Sequence, residues 1–203
     1  MKNFVFILDA SLRNVQMPKG KSSLIRKLYI GTLMLICTGC AGVPEGIKPV
    51  SDFKMQAYLG VWHEIARYDH AFERGLDDVT AEYLSNPDKA EQLMVINKGF
   101  DRLEDKWSIA RGRAKFKSRP DEGHLLVSFF GPFYSSYVIF ELVWNEDKTR
   151  YQQAFVTGPN RKYFWWLHRS KNPSADDFLK AQAIAVQNGF DWEEILVINK
   201  VQD

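Results

Sequence analysis

From Val79 to Arg169 the chain repeats one pattern: a short run rich in β-branched and aromatic residues, then a cluster of turn formers. The runs are Val79–Leu84, Gln92–Lys98, Trp107–Lys117, His124–Phe130, Tyr137–Trp144, Tyr151–Thr157 and Tyr163–Arg169. Between them stand Asn86-Pro87-Asp88, Asp101 with Asp105, Pro120-Asp121-Glu122-Gly123, Asn145-Glu146-Asp147 and Gly158-Pro159-Asn160. Such spacing reads as strands joined by tight turns. Short connections make sequential strands antiparallel neighbours, so the order is a meander. An opening strand over Tyr58–Tyr68 brings the count to eight. Eight antiparallel strands can close into an up-and-down β-barrel that holds one small ligand. The expected fold is therefore all-β.

The opening strand is unusual for a packed core. By alternation Trp62, Glu64, Ala66 and Tyr68 share one face, and Val61, His63, Ile65 and Arg67 the other. A large aromatic followed by a carboxylate and a small residue suits a wall around a hollow. After the last turn, Pro173, Ser174 and Asp177 form a capping-box-like helix start. Phe178, Ala181, Ile184 and Ala185 make one apolar face, and Gly189 terminates the helix. One C-terminal α-helix is thus followed by a short final strand, Ile195–Asn199.

The formal charge of +2 conceals an asymmetry. Residues 1–39 hold six basic residues and one acid, so the remainder has 21 basic and 24 acidic residues. Nothing in that balance points to nucleic acid. The leader joins a basic region (Lys19, Lys21, Arg26, Lys27) to an apolar run, Leu28–Ile36, and then to Cys37-Thr38-Gly39-Cys40. This is the layout of a secretory signal peptide, and the run is well short of the roughly 20 residues needed to span a bilayer. Residues 1–16 fit the scheme poorly, and a start at Met17 gives a compact leader. Pro44, Gly46 and Pro49 make the stretch from 40 to 51 a tether, with the barrel domain over 52–203.

Several chemistries are poorly served. His63-Glu64 would begin a zinc-binding helix only with a histidine at position 67, which is Arg67, and the segment reads as a strand. His70, His124 and His168 lack ligand spacing, and the sole cysteines are Cys37 and Cys40. No Gly-x-Ser-x-Gly elbow occurs. The expectation is a binding protein without metal, cofactor or catalytic residues.

The strand order, with Gly60-Val61-Trp62 opening the first strand and Arg169 ending the eighth, resembles the lipocalin family from about Phe53 to Val201. Tyr151 through Gly158-Pro159 matches the second family signature in part, lacking its Thr-Asp-Tyr core. Val61–Arg67, Phe72–Leu76 and Val127–Tyr134 resemble in particular the bacterial outer-membrane lipocalins, relatives of apolipoprotein D. Thr38-Gly39-Cys40 is similar to their lipobox, although Cys37 stands where leucine is usual. The resemblance implies acylation of Cys40 and, with Ala41 rather than aspartate next, anchorage in the outer membrane facing the periplasm. Two or three acyl chains give stable anchoring where one does not. It also implies that Arg169 packs on Trp62 at the closed end.

Inward placement of Arg169 brings Leu167, Trp165 and Tyr163 to the same face, with Trp165 about 13 Å nearer the mouth at ~3.3 Å per residue. Phe164 and Trp166 then face outward, one beneath the helix and the other open to solvent. Phe133, Tyr134 and Tyr137 lie by the turn into the sixth strand, where tyrosines can meet both an acyl chain and a polar head. By resemblance Tyr134 and Trp165 match ligand-lining positions, and the ligand is a lysophospholipid or fatty acid. Glu64, by parity inside near the floor, pairs with Arg169 or another polar group, or else meets ligand. Two rival classes stand beside lipid binding: a lipocalin-fold enzyme acting on a hydrophobic substrate, and a structural lipoprotein with a filled barrel. Head group, affinity and formation of a homodimer stay open.

Overall fold

The structure is a computed structural model, and it describes residues 42–89 and 91–198. The leader, Met17, Cys40 and the end of the chain from Asn199 lie outside the described residues.

The elements run α1 (Met55–Tyr58), β1 (Gly60–Arg67), β2 (Leu76–Ser85), β3 (Gln92–Asp101), β4 (Lys106–Phe116), β5 (His124–Ser128), β6 (Ser135–Trp144), β7 (Tyr151–Thr157) and β8 (Trp165–His168). Helix α2 (Ala175–Gln187), a 3₁₀ turn (Trp192–Glu194) and β9 (Leu196–Val197) follow. Each strand from β2 to β8 pairs with its predecessor, and β8 pairs with β1, which also pairs with β2. All of these pairings are antiparallel, so eight strands close without an edge. The barrel, helix and final strand are those expected. β9 adds to the upper end of β1, outside the barrel, with Ala66 opposite Val197.

Alternation along the strands sorts the apolar residues into two cores. The interior takes Trp62, Tyr83, Leu93, Val95, Ala114, Leu125, Ile139, Ala154, Val156 and Leu167. The outer core lies beneath α2 and takes Val138, Phe140, Phe155, Phe164 and Trp166 with Ala181 and Ala185. Helix α2 starts on the expected capping box: Asp177 N–H donates to Ser174 Oγ and Ser174 N–H to the Asp177 carboxylate. Phe178 meets the Trp166 ring edge-on at 4.8 Å. Phe164, just before β8, packs on Phe190, and it and Trp166 are fully buried, so neither is open to solvent.

One expectation for β1 fails. A register shift between Glu64 and Ala66 inserts a β-bulge, and alternation changes phase there. Ala66 joins Ile65 in the outer core, and Tyr68 packs against it. Arg67 turns inward and meets Glu64.

The floor is built on one cation. Gly60 opens β1 with φ +93°, a conformation L side chains rarely adopt, and so turns the chain from α1 into the barrel. Arg169 lies with its guanidinium carbon 3.7 Å from the centre of the Trp62 ring. Its Nη2 donates to the carbonyls of Ala57, Tyr58 and Leu59 at 2.9–3.2 Å, and its Nη1 to Val61 O at 2.7 Å. Its Nε donates to Tyr151 O at 3.1 Å. The orphan carbonyls at the end of α1 and the adjoining strands are thereby satisfied together. Burial lowers the Arg169 pKa to about 10, which leaves it charged at neutral pH.

Trp62→Ala should cost ~3–5 kcal/mol, the range for a buried large aromatic. Coupling with Arg169→Ala in a double-mutant cycle, read from urea unfolding, is expected because the side chains touch. Additive losses would separate them.

Candidate functional site

The bulge that turns Arg67 inward creates a charged cluster in the upper barrel. Arg67 Nη1 donates to Glu64 Oε1 at 2.7 Å, and Nη2 to the backbone oxygen of Glu73 at 2.6 Å. Glu73 belongs to the β1–β2 loop, which folds back so that Glu73 N–H donates to His70 O and Leu76 N–H to Glu73 O. The turn buries the Glu73 side chain, whose Oε2 accepts from Trp165 Nε1 at 2.9 Å. Burial and the neighbouring Glu64 push the Glu73 carboxyl up to about 8, against the pull of Trp165 and Arg67. Burial also raises Glu64, opposed by Arg67. One guanidinium thus faces two carboxyls whose ionisation burial opposes, and Glu73 is largely protonated at neutral pH.

An aromatic group lies over this cluster. His70 stacks on Phe72 at 5.3 Å and contacts Tyr163 at 4.8 Å and Trp165 at 5.1 Å. Tyr163 stacks on Trp165 at 5.8 Å. Burial, with Arg67 nearby, lowers the His70 imidazole to about 4, so it is neutral.

Toward the floor a hydroxyl trio crosses the barrel. Tyr83 donates to the Tyr137 hydroxyl at 2.7 Å, and the Tyr58 and Tyr137 hydroxyls are 2.8 Å apart. Burial raises all three above the usual phenol range. Val127, Phe129, Tyr137 and Trp165 pack against the interior core yet stay partly exposed, as do the inward-alternating Ala110 and Gly112. Inward residues of a closed barrel that still reach solvent leave that end of the interior accessible.

Of the sequence-derived site residues, Trp165, Tyr163 and Glu64 come together around Arg67, Glu73 and His70, while Tyr137 sits below in the hydroxyl trio. Glu64 pairs with Arg67, not with Arg169. Tyr134 lies elsewhere: its hydroxyl accepts from Arg113 Nε at 2.7 Å, and Lys115 Nζ lies 4.7 Å from its ring centre. Arg113 and Lys115 flank the inward Ala114, so Tyr134 is held by the outward face of β4. The turn at Gly131-Pro132 returns the chain with Tyr134 on the far side of the wall. Sequence reasoning missed Glu73, His70 and Tyr83. Period-two alternation would have found Tyr83, but no local pattern signals that a loop acid turns inward. Among the described residues no three His, Cys, Asp or Glu side chains gather to hold a metal.

A sealed-floor barrel with Gly-x-Trp clamped by an arginine is the architecture of a lipocalin. Residues 53–200 match the lipocalin-like domain family, and the chain belongs to it. The relatives place it among the bacterial outer-membrane lipocalins. "Outer membrane lipoprotein Blc" of Vibrio cholerae serotype O1 is 41% identical over 176 residues, which span 87% of this chain and 99% of the relative. The protein of the same name from Escherichia coli K12 is 41% identical over 159 residues, spanning 77% and 85%. Insecticyanin from the tobacco hornworm superposes with a TM-score of 0.58 at 18% identity, covering 80% of this chain and 88% of its own. Lobster apocrustacyanin A1 gives 0.54 at 18% identity, covering 79% and 93%. At that identity the likeness is one of fold.

The two perturbed groups predict opposite pH effects. Glu73 has a higher pKa folded than unfolded, so its contribution is full below about 4.5 and lost as pH rises through about 8. His70 is depressed, so its contribution is present above about 6.5 and lost as pH falls through about 4. Glu73→Gln keeps an acceptor for Trp165 and cannot ionise. Its melting temperature should fall less than wild type between mildly acidic and mildly alkaline buffer. Parallel declines would contradict an inward, protonated Glu73.

Proposed function

We propose that this outer-membrane lipocalin holds single-chain lipids in its barrel, for storage or transport in envelope maintenance. The signal peptide spans residues 1–39, and acylated Cys40 and the tether to residue 51 hold the barrel on the periplasmic side. What carries the reading is the contrast between a sealed floor and a wall that still reaches solvent. Trp62 and Tyr58 at the floor are fully buried, whereas Val127, Phe129 and Trp165 higher up are partly exposed. This argues against a filled structural barrel. Leu93, Val95, Leu125, Ile139, Val156 and Leu167 line much of the rest of the interior, which suits an acyl chain. No nucleophile or uncompensated acid–base pair in this cluster favours the enzymatic alternative, since Glu64 and Glu73 are both held by Arg67 and Trp165.

The cluster also bears on ligand class. Arg67 is the cation of the upper interior, and its two Nη atoms are committed to Glu64 and the Glu73 carbonyl. Its Nε is buried without a hydrogen-bond partner, so the guanidinium keeps one donor that a ligand oxygen could take. Lysophospholipids and fatty acids both suit such a site, with the head left at the rim beside Tyr163 and Trp165.

Affinity should climb with acyl length until the hollow fills, by up to ~0.8 kcal/mol per buried methylene before ordering costs. Tryptophan fluorescence during titration with lysophospholipids of increasing length measures this. Trp165→Ala should weaken binding while lowering the melting temperature less than Trp62→Ala. Chain-length-independent affinity, or equal affinity in Trp165→Ala, would remove Trp165 from the site.

A further inference from the structure

We propose that the β1–β2 loop, residues 69–75, is a lid over the hollow, latched by the inward Glu73 side chain, and that lipid is admitted when Glu73 swings out to solvent. The inference rests on the lipid-binding reading above and adds to it how the hollow opens.

The loop is exposed at Asp69, Ala71, Phe72, Arg74 and Gly75, yet two of its side chains are withdrawn from solvent. Glu73 is 6% exposed and His70 7%. The strands reach this loop through Arg67 and Trp165, and both end on Glu73. Arg67 Nη2 donates to its backbone oxygen at 2.6 Å, and Trp165 Nε1 to its Oε2 at 2.9 Å. His70 and Phe72 lie against Trp165, with ring centres 5.1 and 6.4 Å away. Trp165 packs on the interior core and still reaches solvent, so the loop covers one side of the way in. The Glu73 carboxyl extends further down. Burial chiefly raises the Tyr83 phenol, and the Glu73 and Glu64 carboxyls add to that rise. An acyl chain running from the mouth to the hydroxyl trio passes beside Glu73.

The loop is built to move as one piece. Glu73 N–H donates to His70 O at 3.1 Å, and Arg74 grips the Asp69 carboxylate with Nε and Nη2 at 2.6–3.2 Å. Its two ends differ. Tyr68 is fixed: its N–H donates to Phe164 O at 3.1 Å, and its hydroxyl accepts from Asp191 N–H at 2.7 Å. At the other end Gly75 has φ +82°, and beyond its chain neighbours no atom lies within 4 Å of where a Cβ would stand. Arg102 N–H reaches the Gly75 carbonyl only at 3.4 Å. A glycine in open space absorbs the change in φ and ψ that a hinge needs.

An acid is a costly side chain for a permanent closure, because burial must hold it protonated. It suits a latch that lets go. Inside, burial and Glu64 hold the Glu73 carboxyl at about 8, against Trp165 and Arg67, and in water it returns to 4.5. The closed loop therefore loses favour as pH rises between those values, by up to about tenfold per unit. His70 leaves with the loop and acts the other way. Burial and Arg67 hold it at about 4, and in water it returns to 6.5, so acid also favours opening. The two cancel at mildly acidic pH. A net gain of roughly 30-fold in opening remains from there to alkaline pH, most of it between about 6.5 and 8. The other groups that face Glu73 are Glu64 and Arg67 of β1, Tyr83 of β2 and Trp165 of β8. Glu64 and Arg67 stay together on β1 in either position of the loop, and the Tyr83 phenol stays protonated across this range. Asp69 and Arg74 travel with the loop as a pair.

The test uses the full-length protein and palmitoyl lysophosphatidylcholine, whose head group keeps its charges from mildly acidic to alkaline pH. Apparent affinity follows the open fraction while the closed form dominates. Wild-type affinity should therefore rise roughly 30-fold from about pH 5.5 to about 9. Binding near neutral pH should release most of one proton, read by calorimetry in buffers of different ionisation heat. Glu73→Gln keeps an acceptor for Trp165 and cannot ionise, so its affinity should be flat above about pH 6.5, with no proton released. Glu73→Ala removes the latch and should bind more tightly than wild type at mildly acidic pH. A pH-independent wild type, or a Glu73→Gln protein with the wild-type slope and proton release, would overturn the lid. A second measurement needs no lipid. Exchange of the Trp165 indole N–H with solvent, its signal assigned by loss in Trp165→Phe, reports opening directly. Above about pH 6.5 it should steepen in wild type over Glu73→Gln by up to about tenfold per unit. Equal slopes would overturn the lid even in a protein that binds lipid. The steeper wild-type slope in a protein that takes up no lysophosphatidylcholine would keep the lid and remove the lipid-binding reading instead.

Discussion

The cup depends on the contacts of one guanidinium. Arg169 arrives from the end of β8, lies on the Trp62 ring and takes carbonyls from α1, β1 and β7. A helix of four residues has little intrinsic stability, since nucleation alone fixes several dihedrals for one hydrogen bond. α1 closes the barrel because Arg169 satisfies its last carbonyls and Tyr58 packs on Trp62 at 4.9 Å between ring centres. With the floor sealed, the interior communicates with solvent at the other end, and a chain-shaped ligand has one way in. The energetics of binding above the floor follow from that geometry.

The upper interior gathers one guanidinium and two carboxyls in a single buried cluster. Arg67 is held by Glu64 and by the fold-back of the β1–β2 loop, and Glu73 keeps its proton through burial beside Glu64. Breaking such a buried pair by removing one partner costs far more than its net contribution to stability, so the cluster fixes the loop's conformation more than it adds free energy. The loop in turn places Phe72 and His70 over Trp165. A bulge of one residue in β1 therefore connects the start of the barrel to the composition of its mouth.

The architecture was legible because its signals are local. Turn clusters separated seven of the strands, and Ser174 with Asp177 marked the helix start that the structure shows as a reciprocal cap. Trp62 and Arg169 met as the resemblance implied. The failures are of another kind. Strict alternation sent Arg67 outward and Ala66 inward, because a bulge leaves no mark on composition. Trp165 and Tyr163 fell inside as alternation required, but Glu73 sits in a loop where alternation has no meaning. Tyr134 was assigned to the hollow by resemblance and by its place in an aromatic loop, and its partners Arg113 and Lys115 belong to the outer face of another strand. α1 is too short to carry a periodic signal. Elements defined by near neighbours could be read in order, whereas the site is assembled from long-range contacts between a loop, a bulge and β8.

The central claim is that a floor sealed by Arg169 makes the barrel a one-ended container for a single acyl chain. Mass spectrometry of lipid extracted from the full-length protein after purification in mild detergent tests it most directly. The account predicts lysophospholipid or fatty acid at close to one molecule per protein, with two-chain phospholipid no more abundant than in a control protein. Stoichiometric two-chain phospholipid, or a protein that carries no lipid and takes none up from lysophospholipid micelles, would contradict it.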